Sequence, residues 1–364
     1  MALFSVDSAR PLGKGKQSPA GSISDPELAS HLRNYKRVVA GSYRALVQED
    51  LATALPHGPL LVSPKIDGEL WFMVMDGDEV FLSSPTGRVV SGDIPVLTEA
   101  KAAAGRARGR TVVAGELFAV KPAGQGRARV GDLAAVMGGE DKAQVERMAF
   151  HAFDLLVGGD AESPTRSIVY GERLEVLKRL FAGGKRAQAI RTEATTAGDR
   201  VQALWNEWVE GGKGEGLVIR AEGLVLKVKP SITIDAAVIG YTDSSDDPES
   251  VGALLMALLR EDGQFQVIGS CGNMPGEERR AFKKMMAGKE IASNFRYANS
   301  KGALYRFVKP ETVIEFKVTD IQGEDSSGDP IHRMVLEHGA KGWTTVREMP
   351  GASILHPVFV RLRD

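Results

Sequence analysis

Seven charged residues sit where apolar strand should run: Lys65 and Asp67, Glu116, Asp154, Glu215, and Lys227 with Lys229. Each lies in or beside a run that reads as core, and such positions seldom hold an ionisable group without a reason. If the seven converge, lysines and carboxylates share one sheet surface. That cluster suits phosphate chemistry, because carboxylates hold a divalent metal and lysines neutralise phosphate oxygens. A lysine crowded by a metal and other lysines gives up its proton more readily and becomes a neutral nucleophile. The residue types therefore point to nucleotidyl transfer through a lysyl intermediate. No single piece carries this reading. K-x-D-G, here KIDG at 65–68, should arise by chance in roughly one chain in ten of this length.

The elements that must position these residues follow from pattern. Residues 1–57 read as a lead-in, partly flexible, because the first twenty-five or so are rich in Gly, Ser and Pro. Ser24 and Asp25 can cap a short helix running to about Asn34. RNYKR at 33–37 reads as a solvated basic face. From Gly58, the runs LLVSPKI, LWFMVM and VFLSS, punctuated by DG and DGD, read as a β-meander with Lys65 just before its first turn. RTVVAGELFAV, MAFHAFDLLV, GLVIR and LVLKVK read as further strands. Helical patterns fall near 95–104, 140–147, 170–181 and 199–210, where Trp205 and Trp208 read as packing. Strands and helices do not alternate strictly, so the class is α+β with mainly antiparallel sheets. From residue 233 to 364, about five strands with one helix among them (275–288) give the pattern of a small OB-type barrel.

Composition bounds the rest. The 364 residues suggest two domains. The net charge of −1 announces no global nucleic-acid affinity, so any such partner must be held by local patches. KAAAGRARGR (101–110), KPAGQGRAR (121–129) and RRAFKK (279–284) are candidates for phosphate contacts. The single cysteine, Cys271, excludes an internal disulfide and a cysteine-based zinc site, and fits a reducing cytosol. No apolar run is long enough to span a membrane, and the first residues lack the apolar stretch of a signal peptide. The expectation is a cytoplasmic monomer.

In chain order, KIDG (65–68), GELFA (115–119), FHAFDLL (150–156), EGLVIR (215–220), LKVKP (226–230) and FVRLRD (359–364) resemble the motifs of the covalent nucleotidyltransferase superfamily, most closely its ATP-dependent DNA ligases. The ordered set is highly specific, and the resemblance covers about residue 58 to 364. It implies an adenylation domain over 58–232 followed by an OB-fold domain over 233–364. It implies ATP and a divalent metal, Mg²⁺ or Mn²⁺, as cofactors, and nicked or broken DNA as partner, with DNA repair as the setting and other repair proteins as further partners. By the same resemblance Lys65 is the nucleophile that takes AMP, and Asp67 and Gly68 shape its turn. Glu116 holds the ribose or positions metal, Phe153 stacks on the adenine, and Glu215 binds metal. Lys227 and Lys229 contact the α-phosphate, and Arg361 and Arg363 close over the β and γ phosphates.

The chain departs from the family pattern in places. Glu69 and Leu70 stand where an arginine usually follows K-x-D-G. Pro85 stands at a second arginine position, with Arg88 three residues later. Ser63 stands where many relatives carry a glutamate that reads the adenine amine. Those arginines touch phosphate and the nicked strand in relatives. Two other readings therefore stand beside a DNA ligase. One is an RNA ligase or capping-type guanylyltransferase of the same superfamily; the other is a non-catalytic nucleic-acid-binding protein that kept the fold.

Overall fold

The computed structural model describes residues 2–122, 126–138, 142–158, 169–299, 301–323 and 329–363. Contacts divide the chain into two units, Met1–Lys229 and Pro230–Asp364. The first holds two sheets. In spatial order, an eight-stranded sheet runs β1 (Arg10–Leu12), β2 (Gly15–Ser18), β7 (Val89–Gly92), β6 (Glu79–Ser83), β5 (Glu69–Asp76), β8 (Thr111–Ala119), β9 (Met148–Val157) and β10 (Ala187–Ala189). A five-stranded sheet runs β11 (Glu193–Thr195), β4 (Leu60–Lys65), β12 (Gly216–Ala221), β13 (Leu224–Lys229) and β3 (Arg44–Val47). Pairing is antiparallel except for β10 on β9 and β3 on β13. The helices of this unit are α1 (Pro26–Asn34), α2 (Leu51–Ala54), α3 (Pro95–Ala104), α4 (Val130–Gly138), α5 (Lys142–Val145), α6 (Tyr170–Leu180) and α7 (Gly198–Trp208).

Strand β5 shows why its sequence is apolar without alternation. Trp71, Met73 and Met75 face one core with α3, α4 and α6, while Phe72 and Val74 face a second core under α1. A strand covered on both faces has no polar side to show. On α7, Val201, Leu204, Trp205 and Trp208 recur at helical spacing and pack on the five-stranded sheet, so both tryptophans are core.

Two expectations need correction. Only the DGD turn is a hairpin: β5 pairs with β6 through Asp76↔Glu79, and Gly77 has φ +58°. The earlier turn, Asp67–Gly68, is no hairpin, because β4 pairs with β11 and β12 whereas β5 pairs with β6 and β8. The chain there crosses from one sheet to the other, and a period-2 pattern cannot tell the two cases apart. Residues 2–57, expected as a lead-in, are built into the first unit. β2 pairs with β7, Asp25 caps α1 through the Glu27 and Leu28 amides at 3.0 and 3.1 Å, and Leu3, Leu12, Leu28 and Leu32 are buried. The Gly and Pro residues that suggested flexibility punctuate short elements instead. Part of the 140–147 helix and of the 121–129 basic run lies outside the described residues.

In the second unit a seven-stranded sheet runs β20 (Gly342–Pro350), β19 (His332–Gly339), β16 (Phe265–Cys271), β15 (Val251–Leu259), β14 (Ile232–Asp243), β17 (Arg306–Val318) and β22 (Val358–Leu362). A small pair, β18 (Asp320–Gln322) and β21 (Ser353–Leu355), lies apart. Just beyond β16, Asn273 bridges in parallel to Val358 of β22, and the Phe359 amide donates to the Asn273 carbonyl at 2.9 Å. That bridge joins β14, β15, β16, β17 and β22 into the five-stranded ring of a small barrel. Inside it lie Val238, Leu254, Met256, Ile314, Phe316 and Phe359, with Phe282 and Met286 of α8 (Gly276–Met286) packed against them. The α+β class and the OB-type second domain agree with the sequence expectation.

Candidate active site

Three neighbouring strands carry the lysines. Across β4, β12 and β13 the register aligns Ser63 with Val218 and Lys227, and Lys65 with Gly216. Side chains two apart on a strand share a face, so Ser63, Lys65, Lys227 and Lys229 all point the same way. Gly216 lets β12 and β13 approach closely here, since a Cβ there would lie 2.0 Å from the Val228 carbonyl. Glu215, just before it, reaches both ammonium groups. Its Oε1 lies 2.6 Å from Lys229 Nζ, and its Oε2 pairs with Lys65 Nζ. Burial raises the Glu215 carboxyl pKa, but the two lysines outweigh burial and hold it below its ordinary range.

The crossover after Lys65 brings in the eight-stranded sheet. Gly68 passes so close to β8 that a Cβ would lie 2.4 Å from the Leu117 carbonyl. This places Asp67 and Glu116 beside the lysines. Asp67 pairs with Arg127 at 3.1 Å, yet burial and the Glu215 charge leave its pKa raised. Glu116 is pushed up to about 7, mainly by burial and also by Glu215 and Asp67, while Lys65 and the Gly68 amide work the other way. Lys227 is shifted down by burial and by the Lys65 charge.

A cavity of about 370 Å³ opens on this face, within the size range of small-molecule sites. Lys65, Glu116, Phe153, Leu70, Arg220 and Lys227 are among its walls. Phe153 reaches it through a bulge: β9 gains one residue between Ala152, opposite Gly115, and Asp154, opposite Ala114. The cavity joins an aromatic surface to a cluster of cations and carboxylates, the chemistry of a nucleotide with its phosphates.

The structure thus gathers Lys65, Asp67, Gly68, Glu116, Phe153, Glu215, Lys227 and Lys229. Asp154 belongs elsewhere. It accepts from Tyr35 OH at 2.9 Å, Arg173 Nε at 2.7 Å and the Leu155 amide, and so ties α1's end to β9 and α6. Arg361 and Arg363 lie in the second unit. There Arg361 Nε meets Glu315 at 2.6 Å, and Arg363 forks onto both oxygens of Asp235 at 2.9 and 2.8 Å. Asp364 lies outside the described residues. At the departures, Leu70 is a cavity wall and Ser63 is fully buried, its hydroxyl 2.9 Å from that of Thr192. Arg88 is held by Glu69 at 2.5 Å with its guanidinium 5.1 Å from the Trp71 ring centroid.

Sequence reasoning missed Arg220, Lys36 and Tyr43. Arg220 is buried against the Tyr170 ring at 4.4 Å, with one terminal nitrogen lacking a hydrogen-bond partner. Its signal was an arginine closing the apolar run GLVIR. Lys36 lines the cavity from the basic run that read as a solvated face, and Tyr43 from the stretch that read as a lead-in. Arg127, in a stretch considered only for phosphate contact, braces Asp67.

Residues 39–229 match the family described as the ATP dependent DNA ligase domain, and residues 247–364 match the ATP dependent DNA ligase C terminal region. The first match alone spans more than half of the chain, and the chain belongs to the ATP-dependent DNA ligase family. DNA ligase C of Mycobacterium tuberculosis is 29% identical over 234 residues, covering 60% of this chain and 63% of that protein. DNA ligase C2 of Mycolicibacterium smegmatis is 30% identical over 248 residues, covering 62% and 65%. The chain therefore spans somewhat less than two thirds of these relatives. Among solved structures, Pmar-Lig_PreS3 shares the fold with a TM-score of 0.55 at 16% identity, over 88% of this chain and 67% of that one.

Proposed function

We propose that the chain is an ATP-dependent DNA ligase acting through a lysyl-AMP intermediate. The observation that carries this reading is one carboxylate, Glu215, holding Lys65 and Lys229 at the edge of a cavity also lined by Phe153, Glu116 and Lys227. In the proposed sequence Phe153 stacks on adenine and Lys227 and Lys229 meet the α-phosphate. Lys65 must leave Glu215 and shed a proton before attack, because an ammonium nitrogen has no lone pair. Its nitrogen then bonds to the α-phosphorus as the bond to pyrophosphate breaks, giving a phosphoramidate. AMP passes to a 5′-phosphate end, and a 3′-hydroxyl displaces it to seal the break.

The residues fit a divalent ion only as a partial donor set. Among the described residues no group of three or more carboxylate, histidine or cysteine side chains is placed to hold a metal ion by itself. Mg²⁺ typically takes one or two carboxylates and completes its shell with substrate phosphates and water. Glu116 and Glu215 would supply the protein oxygens, and the ion would draw charge from the phosphate. Arg361 and Arg363 would close over the outer phosphates. To do so they would exchange their present partners, Glu315 and Asp235, for phosphate oxygens.

The test is incubation with α-labelled ATP or GTP and a divalent metal, beside Lys65→Ala. Label trapped from ATP by the wild type, absent in the variant and chased by nicked DNA, is the expected result. Label from GTP alone would favour a capping-type enzyme. Folded wild type that takes no label would end the enzyme reading.

A further inference from the structure

Three lysines face the cavity cluster, but only two of them share a carboxylate. Lys65 and Lys229 both sit on Glu215, whereas Lys227 makes no ion pair among the described residues. Its ammonium instead lies 4.8 Å from the centroid of the Tyr43 ring. An aromatic face attracts a cation and fixes its direction without cancelling its charge. A carboxylate in the same place would compete with a phosphate for that ammonium.

Tyr43 is itself held on two sides. Immediately after it, β3 pairs in parallel with β13, aligning Arg44 with Leu226 and Ala45 with Lys227. Before it, Tyr35–Val39 forms a turn of π-helix, and residues 40–42 tighten to 3₁₀. Such π turns are rare and concentrate at functional sites. This turn is anchored by the buried hydrogen bond from Tyr35 to Asp154, at 2.9 Å. Lys36, Ala40, Gly41 and Tyr43 then form one wall of the cavity.

We propose that Tyr43 is a positioning residue for Lys227, the ring holding its ammonium un-neutralised toward the α-phosphate of the bound nucleotide. The proposal rests on the lysyl-AMP reading of this site. It assigns a task to a residue in the stretch that sequence reasoning left as a lead-in.

The experiment is single-turnover formation of lysyl-AMP by the full chain across ATP concentrations. Tyr43→Phe keeps the ring and should stay within about twofold of wild type. Tyr43→Leu should lower the limiting rate roughly 2- to 30-fold while the half-saturating ATP concentration barely moves. In a Lys227→Ala background, Tyr43→Leu should add nothing, because its effect passes through Lys227. Matching thermal unfolding of the two Tyr43 variants separates positioning from misfolding. A wild-type rate in Tyr43→Leu overturns the proposal. A rise only in half-saturating ATP also overturns it, since the ring would then touch the nucleotide itself. So does an undiminished loss in the Lys227→Ala background. If the wild type takes no label, the ligase reading falls and this proposal with it.

Discussion

At the scale of residues, the site sets opposite demands on two carboxylates. Glu215 is kept ionised by two lysines, while Glu116, buried and near two other acids, has its pKa pushed up to about 7. Glu116 is the group expected to titrate in the physiological range. Because kcat/KM reports the free enzyme, the rise of lysyl-AMP formation per unit ATP should contain a limb near pH 7 if ionised Glu116 is needed. Glu116→Gln should be slower and lack that limb. A limb at the same pH in the variant would reassign it to another group. The stability sign runs the other way. Between the unfolded value near 4.5 and the folded value near 7, the folded state binds more protons, so stability falls as pH rises through that window. Glu116→Gln should flatten that fall in a urea titration series run from pH 5 to 8.

Among elements, glycines decide how close neighbouring motif-bearing strands can come. A Cβ on Gly216 would lie 2.0 Å from the Val228 carbonyl, whereas one on Gly223, in the β12–β13 turn, would meet nothing within 4 Å. Gly216→Ala should therefore cost at least about 2 kcal/mol, lowering the midpoint of unfolding by roughly 4–8 °C, and should disturb the Lys65–Lys229 pair. Gly223→Ala pays only for its left-handed φ of +68° and should cost about 1 kcal/mol. Equal losses would mean the β12–β13 pair yields where the geometry says it cannot. The N-terminal elements make a similar claim. Deleting residues 2–34 removes Leu28 and Leu32 from the core above Phe72 and Val74, and the first unit should then lose cooperative unfolding. The sequence announced most strands, and it announced Lys65, Asp67, Glu116, Glu215, Lys227 and Lys229 because charge in an apolar run is conspicuous; Gly68 and Phe153 came only with the family resemblance. It hid the sheet crossover at Gly68 because alternation is the same in a hairpin and a crossover. It hid Tyr43, Lys36 and Arg220 because each acts by facing a strand distant in sequence, which no local pattern encodes.

For the whole molecule, each unit has its own cores: three clusters in Met1–Lys229 and two in Pro230–Asp364. Units with separate cores can unfold in separate steps. Every residue lining the candidate nucleotide cavity belongs to the first unit. A ligand stabilises the body that binds it, by about 2.7 kcal/mol at a hundredfold excess over Kd. For a unit of this size that corresponds to a shift of roughly 5–11 °C. In Lys65→Ala, which on the proposed mechanism cannot trap AMP, saturating ATP should move the transition of the unit that lines the cavity by that amount, and the other only as far as Arg361 and Arg363 hold the outer phosphates. The moving transition can be assigned by introducing Phe316→Ala, which weakens only the barrel core of the second unit. That substitution should lower the transition ATP moves less. If ATP raises both transitions together, the second unit shares the bound nucleotide, and Arg361 and Arg363 become the first side chains to substitute.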